Sequence, residues 1–237
     1  SGATGYTLSS VDVTKDGLQF HINAHAFFTP LLGAYNAMNV LTAVAVCHRF
    51  GISWEPLQSA VADLNQVPGR LERIDEAEEQ GFSVIVDYAF EPIAMQALYD
   101  VVALLSPKRV IHVFGSTGGG RDVSRRFTVG SMVAKMSDIC VITDEDPYDD
   151  NPMSIMHDVE KAVLDSHKKE RGVSSFVIPD RKEAIAFAVN MAQPGDMVLV
   201  TGKGSEQAMV VKGVLIPFDD RVAVRDALRA RATHKKP

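Results

Sequence analysis

The sequence is poor in cysteine and has no excess of basic residues. Its two cysteines, Cys47 and Cys140, lie far apart within apolar runs, which is typical of buried free thiols and not of a disulfide framework. The formal net charge of −6 over 237 residues leaves no basic field that would attract nucleic acid. No apolar run approaches the roughly 18 residues of a membrane-spanning helix, and no signal peptide opens the chain. We therefore expect a cytoplasmic protein that neither binds nucleic acid nor inserts into a membrane.

Two glycine-rich segments lack the spacing of the common nucleotide-binding motifs. Residues 115–120 read G-x-x-G-G-G, whereas a dinucleotide-binding turn requires G-x-G-x-x-G. Around Lys203, Met197 stands where a P-loop has its first glycine, and Gly204 stands where Ser or Thr should follow the lysine. The seven histidines show no metal-ligand spacing, and no Ser-His-Asp arrangement is present. The sequence thus predicts no P-loop, no metal site and no catalytic nucleophile within these residues.

What the sequence does contain is a regular alternation of strand and helix patterns. Residues 5–30 alternate like strands, with a hairpin turn at Lys15-Asp16-Gly17, and two helices follow. Farther along, apolar strands alternate with helices, which predicts an α/β protein with a Rossmann-like, doubly wound, mainly parallel sheet after a smaller α/β unit. The predicted helices cover 35–50, 53–64, 92–105, 123–135, 152–168, 180–192 and 219–231, and the predicted strands cover 82–87, 109–114, 138–143, 174–178 and 196–201, with a hairpin around Gly213.

Polar residues cluster where the predicted strands end. The carboxyl ends of parallel strands meet at one edge of a sheet, where α/β proteins bind ligands. The strand at 109–114 is followed by glycines and by Arg121, whose planar guanidinium can hold a carboxylate or a phosphate. Asp146 or Glu206, which follow two other strands, can receive an ammonium group. This pattern predicts a zwitterionic amino acid as the ligand.

Seven short segments carry the most specific signal in the sequence. They are GAYNAMNVLTA (33–43), VPGRLE (67–72), VDYAFEP (86–92), GSTGGGRDVSRR (115–126), EDPY (145–148), DRKEAI (180–185) and GKGSE (202–206). Taken in order, they resemble the signatures of the Mur ligase family, the ATP-dependent amide ligases of peptidoglycan synthesis. The similarity is greatest to the UDP-N-acetylmuramoyl-tripeptide synthetase branch, and several signatures in register are far more specific than one alone.

The resemblance implies a domain organisation and a reaction. Residues 1–68 would be the C-terminal part of the central, ATP-binding domain, and residues 69–237 the C-terminal, amino-acid-binding domain. The family's P-loop, magnesium ligands and UDP-binding domain would lie upstream, so we expect a fragment that is inactive alone. In the implied reaction, ATP with Mg²⁺ converts a carboxylate of UDP-MurNAc-dipeptide into an acyl phosphate, which the amine of an amino acid attacks. The implied enzyme is a cytoplasmic monomer that relies on positioning and charge neutralisation, with no catalytic nucleophile.

Carried over position by position, the resemblance assigns two groups of binding residues. The residues that would contact ATP are Asn36, Arg70, Asp87, Tyr88 and Arg125. The residues that would line the amino acid pocket are Arg121, Asp146, Tyr148, Gly202 and Glu206.

Departures from the family's pattern bear on the substrate. Tyr148 stands where the diaminopimelate-adding members have an arginine that holds the distal carboxylate, and Asp146 stands where they have asparagine. A pocket with acidic side chains and no second arginine favours a distal ammonium, so we predict L-lysine or L-ornithine as the amino acid. The other departures are Phe90, Glu91, Arg125 and Ser205.

Two other functions are compatible with the residues alone. A nicotinamide-dependent oxidoreductase would use Asp144 or Glu145 to bind the ribose, although its glycine fingerprint is missing. A non-catalytic domain that binds an amino acid would need only the pocket and no ATP-binding half.

Overall fold

The structure, a computed structural model, describes residues 5–166 and 169–234. The chain divides into two compact units. The first consists of Ser1–Gln66 with Ala97–Ser106, and the second of Val67–Gln96 with Pro107–Pro237. Helix α3 (Pro92–Leu105) is therefore divided between the two units.

The first unit contains an antiparallel sheet and two helices. Thr14 pairs with Gly17 across a tight turn, so the hairpin predicted at Lys15-Asp16-Gly17 is confirmed. The structure adds a third strand, paired with the second, which the hairpin prediction did not include. The elements, with strand order β1-β2-β3, are β1 (Leu8–Thr14), β2 (Gly17–Ile22), β3 (His25–Thr29), α1 (Tyr35–Arg49) and α2 (Trp54–Ala62). Their apolar side chains form one core of Leu18, Phe20, Ile22, Phe27, Ala37, Val40, Val44, Leu57 and Val61.

The second unit is built on a six-stranded sheet in the order β4-β5-β9-β6-β7-β8. Every neighbouring pair is parallel except β4 with β5, so the predicted α/β fold with a mainly parallel sheet is confirmed. The strands are β4 (Glu72–Arg73), β5 (Ser83–Asp87), β6 (Arg109–Phe114), β7 (Ile139–Ile142), β8 (Ser175–Val177) and β9 (Asp196–Thr201). A separate hairpin of β10 (Ala208–Val211) and β11 (Val214–Pro217) turns at Gly213, as predicted.

The strands of this sheet carry apolar side chains on both faces, so helices cover the sheet. Val84 and Val86 of β5 and Ile111 and Val113 of β6 belong to one core with residues of the last two helices. Asp180 accepts a hydrogen bond from the backbone N–H of residue 183 and so caps the first of these two, a contact worth about 1 kcal/mol. The helices are α4 (Ser124–Met136), α5 (Pro152–Ser166), α6 (Arg181–Met191) and α7 (Asp220–His234), with a 3₁₀ turn at Asp75–Gln80.

The predicted boundaries agree best where an apolar run meets a glycine. The strands at 109–114 and 196–201 coincide with β6 and β9, each of which precedes a glycine. The last helix extends to His234, three residues beyond its predicted end. The predicted helix end at 167–168 lies outside the described residues. In the part of the chain that the structure describes, none of the helices combines the length and apolar character that crossing a bilayer requires.

Candidate functional site

The carboxyl ends of β5, β6, β7 and β9 surround a cavity of about 380 Å³ in the second unit. All five residues that the sequence predicted for an amino acid pocket line it, together with two of the predicted ATP contacts, Tyr88 and Arg125. Arg121 and Glu206 therefore share one cavity, although the site itself stays a prediction. The lining residues are Tyr88, Phe90, Glu91, Thr117, Arg121, Arg125, Glu145, Asp146, Tyr148, Gly202 and Glu206.

Lys203 is buried next to the cavity and pairs with two of its carboxylates. Its Nζ lies 2.8 and 2.7 Å from the two carboxylate oxygens of Asp146 and 2.6 Å from Oε2 of Glu206. Asp146 also accepts a hydrogen bond from the backbone N–H of Val210, and Glu206 accepts one from the hydroxyl of Tyr88, both at 2.8 Å. All four carboxylate oxygens therefore already have a donor. Sequence reasoning noted the lysine as a failed P-loop position and missed this ion pair.

Glu145 is the third carboxylate of this group, and it is paired differently. Its side chain is buried, and its Oε1 accepts a hydrogen bond from the hydroxyl of Thr117 at 2.8 Å. Its Oε2 lies against Gly202, where a methyl group would overlap it. Within the described residues, Oε2 has no hydrogen-bond donor and Glu145 has no ion-pair partner. Burial raises the pKa of Glu145, although the nearby charge of Arg181 opposes this effect.

Arg181 fixes the strand ends that carry these carboxylates. Its buried guanidinium makes two hydrogen bonds of 2.8 Å to the carboxylate of Asp220. It also donates to the backbone carbonyls of Thr201, at 2.7 Å, and of Asp144, at 3.2 Å. Because these carbonyls lie at the ends of β9 and β7, the arginine holds the two strands that supply the acidic residues at fixed positions.

The glycine run after β6 presents Arg121 to the cavity. The backbone N–H of Gly118 donates to the carbonyl of Asp146 at 2.8 Å, which joins this loop to the one after β7. Gly119 has a φ of +64°, and a methyl group there would lie 2.7 Å from the ring of Tyr148. Arg121 itself is exposed, and among the described residues its guanidinium has no hydrogen-bond or ion-pair partner. The loop thus carries a free cation at the edge of the cavity.

Tyr148 is held by its backbone as well as by this contact. Its φ is +52°, and its N–H and carbonyl bond to Val210 and Lys212 of the β10 hairpin at 3.1 and 2.7 Å. The ring therefore has a defined position between the glycine loop and the hairpin. No second guanidinium comes from this position, where the resemblance placed an arginine.

Of the residues predicted to contact ATP, Tyr88 and Arg125 line the cavity, and Arg70 lies beside it. The guanidinium of Arg70 lies 4.2 Å from the ring centre of Tyr88. Burial, and then the hydrogen bond to Glu206, raises the pKa of Tyr88 to about 12. Arg125 forms an ion pair with Glu91, and its guanidinium lies 5.2 Å from the ring centre of Phe90.

The loop that carries Arg70 is in direct backbone contact with the loop after β9. Gly69 and Gly204 have φ angles of +64° and +52°, and a methyl group on Gly69 would overlap the backbone of Gly204 and Ser205. A methyl group on Gly204 would likewise lie 2.6 Å from the carbonyl oxygen of Gly69. Glycine is therefore required at both positions.

The two remaining predicted ATP contacts do not line the cavity. Asp87 is buried and accepts hydrogen bonds of 2.7 Å from the backbone N–H groups of Leu71 and Ala89, while burial raises its pKa. It braces the chain on either side of β5. Asn36 belongs to the first unit, where its side chain donates to the carbonyl of Leu32 at 2.7 Å. Among residues 5–166 and 169–234, no group of three or more His, Cys, Asp or Glu side chains could hold a metal ion.

Comparison with known proteins gives a consistent similarity. A family model described as Mur ligase, glutamate ligase domain matches residues 69–204. The chain is 36% identical over 225 residues to the UDP-N-acetylmuramoyl-L-alanyl-D-glutamate--2,6-diaminopimelate ligase of Geobacillus kaustophilus, which covers 93% of this chain and 44% of the relative. It is 36% identical over 230 residues to the ligase of the same name from Solibacter usitatus, which covers 97% of this chain and 45% of the relative. The chain thus spans less than half the length of these relatives.

Solved structures show the same fold. A structure of a UDP-N-acetylmuramoyl-L-alanyl-D-glutamate--2,6-diaminopimelate ligase superposes with a TM-score of 0.64 at 29% identity, covering 98% of this chain and 46% of that one. The UDP-N-acetylmuramate-alanine ligase MurC of Thermotoga maritima superposes with a TM-score of 0.69 at 16% identity, covering 97% of this chain and 46% of that one. All four of these proteins are named ligases, and none of the four is a nicotinamide-dependent oxidoreductase.

Proposed function

Because this chain belongs to the Mur ligase family, we propose that it is the amino-acid-binding part of an ATP-dependent ligase of peptidoglycan synthesis. That ligase adds a diamino acid to UDP-MurNAc-dipeptide and works as a cytoplasmic monomer. Residues 69–237 would be its C-terminal domain and residues 1–68 the end of its central ATP-binding domain. The relatives at 36% identity support this proposal, since they are named ligases that join a UDP-N-acetylmuramoyl-dipeptide to 2,6-diaminopimelate.

The observation that carries the proposal is the charge pattern of the cavity. Arg121, whose guanidinium has no partner among the described residues, opens into the same cavity as Glu145, Asp146 and Glu206. A guanidinium and a carboxylate group on one cavity match the carboxylate and ammonium groups of a free amino acid. In this arrangement Arg121 binds the α-carboxylate, and the acidic side binds an ammonium group.

Positioning is the contribution that these residues make to the chemistry. An acyl phosphate is already activated, so the amine that attacks it needs only to be deprotonated and correctly placed. Binding the carboxylate at one end and the distal ammonium at the other leaves the α-amine free to attack. The protein then needs no nucleophile of its own, and guanidinium groups close to the departing phosphate would stabilise the charge that develops on it.

The nucleotide side of the cavity fits ATP in part. Arg70 and Arg125 supply guanidinium groups close to aromatic rings, which suits contact with phosphates. Arg125 is paired with Glu91, so a phosphate at this position has to replace that carboxylate. The described residues offer no group of three or more His, Cys, Asp or Glu side chains that could hold Mg²⁺.

The acidic side argues for a distal ammonium in place of a distal carboxylate. Tyr148 fills the position from which an arginine would bind the second carboxylate of diaminopimelate, and Asp146 adds a negative charge nearby. A distal carboxylate would face Glu145 and Glu206, and the nearby ammonium of Lys203 already pairs with Asp146 and Glu206, so its binding would cost several kcal/mol. We therefore propose L-lysine or L-ornithine as the added amino acid.

A ligase assay tests the proposal directly. The complete ligase is supplied with ATP and UDP-MurNAc-dipeptide, and phosphate release is followed with L-lysine, L-ornithine or diaminopimelate as the acceptor. We expect turnover with lysine or ornithine at least about tenfold faster than with diaminopimelate, since one lost charge pair is worth about 1.4 kcal/mol or more. Faster turnover with diaminopimelate would contradict the charge argument, and no turnover with any acceptor would contradict the ligase function itself.

A further inference from the structure

The two arginines that line the cavity differ in whether a carboxylate of the chain already occupies them. Arg121 and Arg125 both border the cavity from the segment that follows β6. The guanidinium of Arg121 has no hydrogen-bond or ion-pair partner among the described residues, whereas that of Arg125 is paired with the carboxylate of Glu91. An anion can therefore bind Arg121 directly, but it reaches Arg125 only by exchange with a resident carboxylate.

The two members of this ion pair are unequally buried. The side chain of Arg125 is 11% exposed, and that of Glu91 is 50% exposed. A mostly buried guanidinium that loses its counter-charge costs much free energy, whereas a half-exposed carboxylate can turn into water at little cost. The pair therefore opens by movement of Glu91, and Arg125 then requires another anion.

The ring of Phe90 supports the guanidinium independently of the carboxylate. The guanidinium carbon of Arg125 lies 5.2 Å from the centre of this ring. The attraction to the ring acts on the flat face of the guanidinium, whereas hydrogen bonds to an anion use its edge. Phe90 therefore keeps the cation in place while one anion replaces another. Phe90, Glu91 and Arg125 are all positions at which the sequence departs from the family's pattern, so three departures meet at one contact.

We propose that Glu91 is a resident counter-ion of Arg125, that a phosphate group of the nucleotide displaces it, and that this competition sets how tightly the ligase binds ATP. The inference rests on the proposed function, since it takes Arg125 as a contact of ATP. A phosphate group carries more negative charge than a carboxylate and matches the edge of a guanidinium equally well, so it can replace Glu91. When the phosphate leaves, Glu91 returns and the buried cation keeps a partner.

Pyrophosphate and the 237-residue chain test the exchange. With ¹⁵N-labelled arginine, the Nε resonance of Arg125 reports binding at this guanidinium, whatever binds at Arg121. Glu91→Gln removes the competing charge and keeps the size of the side chain. The dissociation constant for pyrophosphate should therefore fall about three- to fivefold, the usual value of an ion pair that is partly exposed to water. In the wild-type chain, the carboxyl resonance of ¹³C-labelled Glu91 should shift as pyrophosphate binds.

Asp122→Asn is the matched control. Asp122 is exposed, and hydrogen bonds from Ser124 and, to a smaller extent, the charge of Arg125 lower its pKa. Asparagine keeps the backbone hydrogen bond at the start of α4. The variant thus removes a negative charge near Arg125 without emptying the guanidinium, and the dissociation constant should stay within about twofold of the wild-type value, since salt screens exposed charges.

Three results would overturn the proposal. Equal gains in Glu91→Gln and Asp122→Asn would show that only long-range repulsion acts on the anion. An unchanged dissociation constant in Glu91→Gln would show that the carboxylate does not compete. A Glu91 resonance that stays in place while pyrophosphate binds Arg125 would show that the pair does not open.

Kinetics of the complete ligase test the consequence for ATP. Glu91→Gln should lower the KM for ATP about three- to fivefold and leave kcat unchanged, because the carboxylate competes with ATP and takes no part once a phosphate has replaced it. A lower kcat at an unchanged KM would overturn this assignment. If Glu91 exchanges with pyrophosphate in the chain but the complete ligase turns over no acceptor, the proposed function fails and the exchange at Arg125 stands.

Discussion

The two sides of the cavity differ in how completely their charges are paired. On the side of β7 and β9, Lys203 joins Asp146 to Glu206 in a buried cluster. On the side of β6, Arg121 is exposed and has no partner among the described residues. Charges of the first kind contribute to the fold, whereas a charge of the second kind is available to a ligand. Removing residues from the two sides should therefore affect different properties.

Removing Lys203 should have the largest effect on stability. Lys203→Met leaves Asp146 and Glu206 without their shared cation, and an uncompensated buried charge costs about 3–5 kcal/mol. We expect about 3 kcal/mol, because Glu206 is only partly buried and water screens its charge. Urea unfolding measures the change, and the exposed Lys182→Met is the control, with an expected loss within about 0.5 kcal/mol. Equal losses in the two variants would show that the buried cluster does not stabilise the fold.

Adding a methyl group beside Glu145 should cost somewhat less. Gly202 has a φ of +107°, and its new methyl group would overlap Oε2 of Glu145. Gly202→Ala should therefore lose about 2–3 kcal/mol of unfolding free energy, from backbone strain and from the displaced carboxylate. Gly120→Ala is the matched control, since its φ of +75° is strained but the space around it is open, and about 1 kcal/mol is expected. Similar losses in both variants would mean that Glu145 moves away without cost.

The acid sensitivity of the folded chain should depend on His112. This buried histidine lies 2.9 Å from the hydroxyl of Thr201, and burial lowers its pKa from 6.5 to about 3. The unfolded chain binds a proton at this residue below pH 6.5 and the folded chain does not, so stability falls as the pH falls from 6.5 toward 3. Between pH 7 and pH 5 the loss is about 2 kcal/mol.

Urea unfolding at the two pH values checks this expectation. The His112→Asn variant should not show this loss of unfolding free energy between pH 7 and pH 5. The variant His157→Asn, at an exposed position, should show the same loss as the wild-type chain. If His112→Asn loses as much stability on acidification as the wild-type chain, another group is responsible for the acid sensitivity.

Removing Arg121 should affect stability least and binding most. Arg121→Ala breaks no side-chain hydrogen bond or ion pair among the described residues, so the unfolding free energy should stay within about 0.5 kcal/mol of the wild-type value. Its affinity for L-lysine should fall about tenfold or more, because the α-carboxylate loses its charged partner. Arg121→Lys should recover part of this loss, since it keeps the charge without the two-pronged geometry. A variant that is destabilised but binds lysine normally would reverse the comparison between the two sides.

Sequence reasoning succeeded where a single segment carries the information. The apolar run at 109–114 and the glycines behind it predict a buried strand and a ligand-binding turn. The rule that parallel strands end at one edge then places Arg121 near Glu206. Both steps use a local pattern and this general rule, and neither requires knowledge of which side chains contact each other. The prediction that these residues bind an amino acid remains to be tested by the experiments above.

The pairings could not be predicted, because each depends on distances that only the folded chain determines. Lys203 contacts Asp146 across 57 positions of sequence, and the pattern of charges alone shows all three carboxylates as equally free. The ion pair of Arg125 with Glu91 similarly joins the first turn of α4 to the residue before α3. The edge strand β4 is two residues long, too short for any periodicity to appear. The sequence therefore predicted which charged side chains lie at the same edge of the sheet. The structure showed which of them already have a hydrogen-bond or ion-pair partner.

The contact between Gly69 and Gly204 couples two loops mechanically. Their backbones touch without an intervening side chain, so neither loop can shift toward the other without pushing it. One loop carries Arg70 on the predicted nucleotide side, and the other carries Glu206 on the amino acid side. We therefore expect a ligand that displaces one of these loops to displace the other as well.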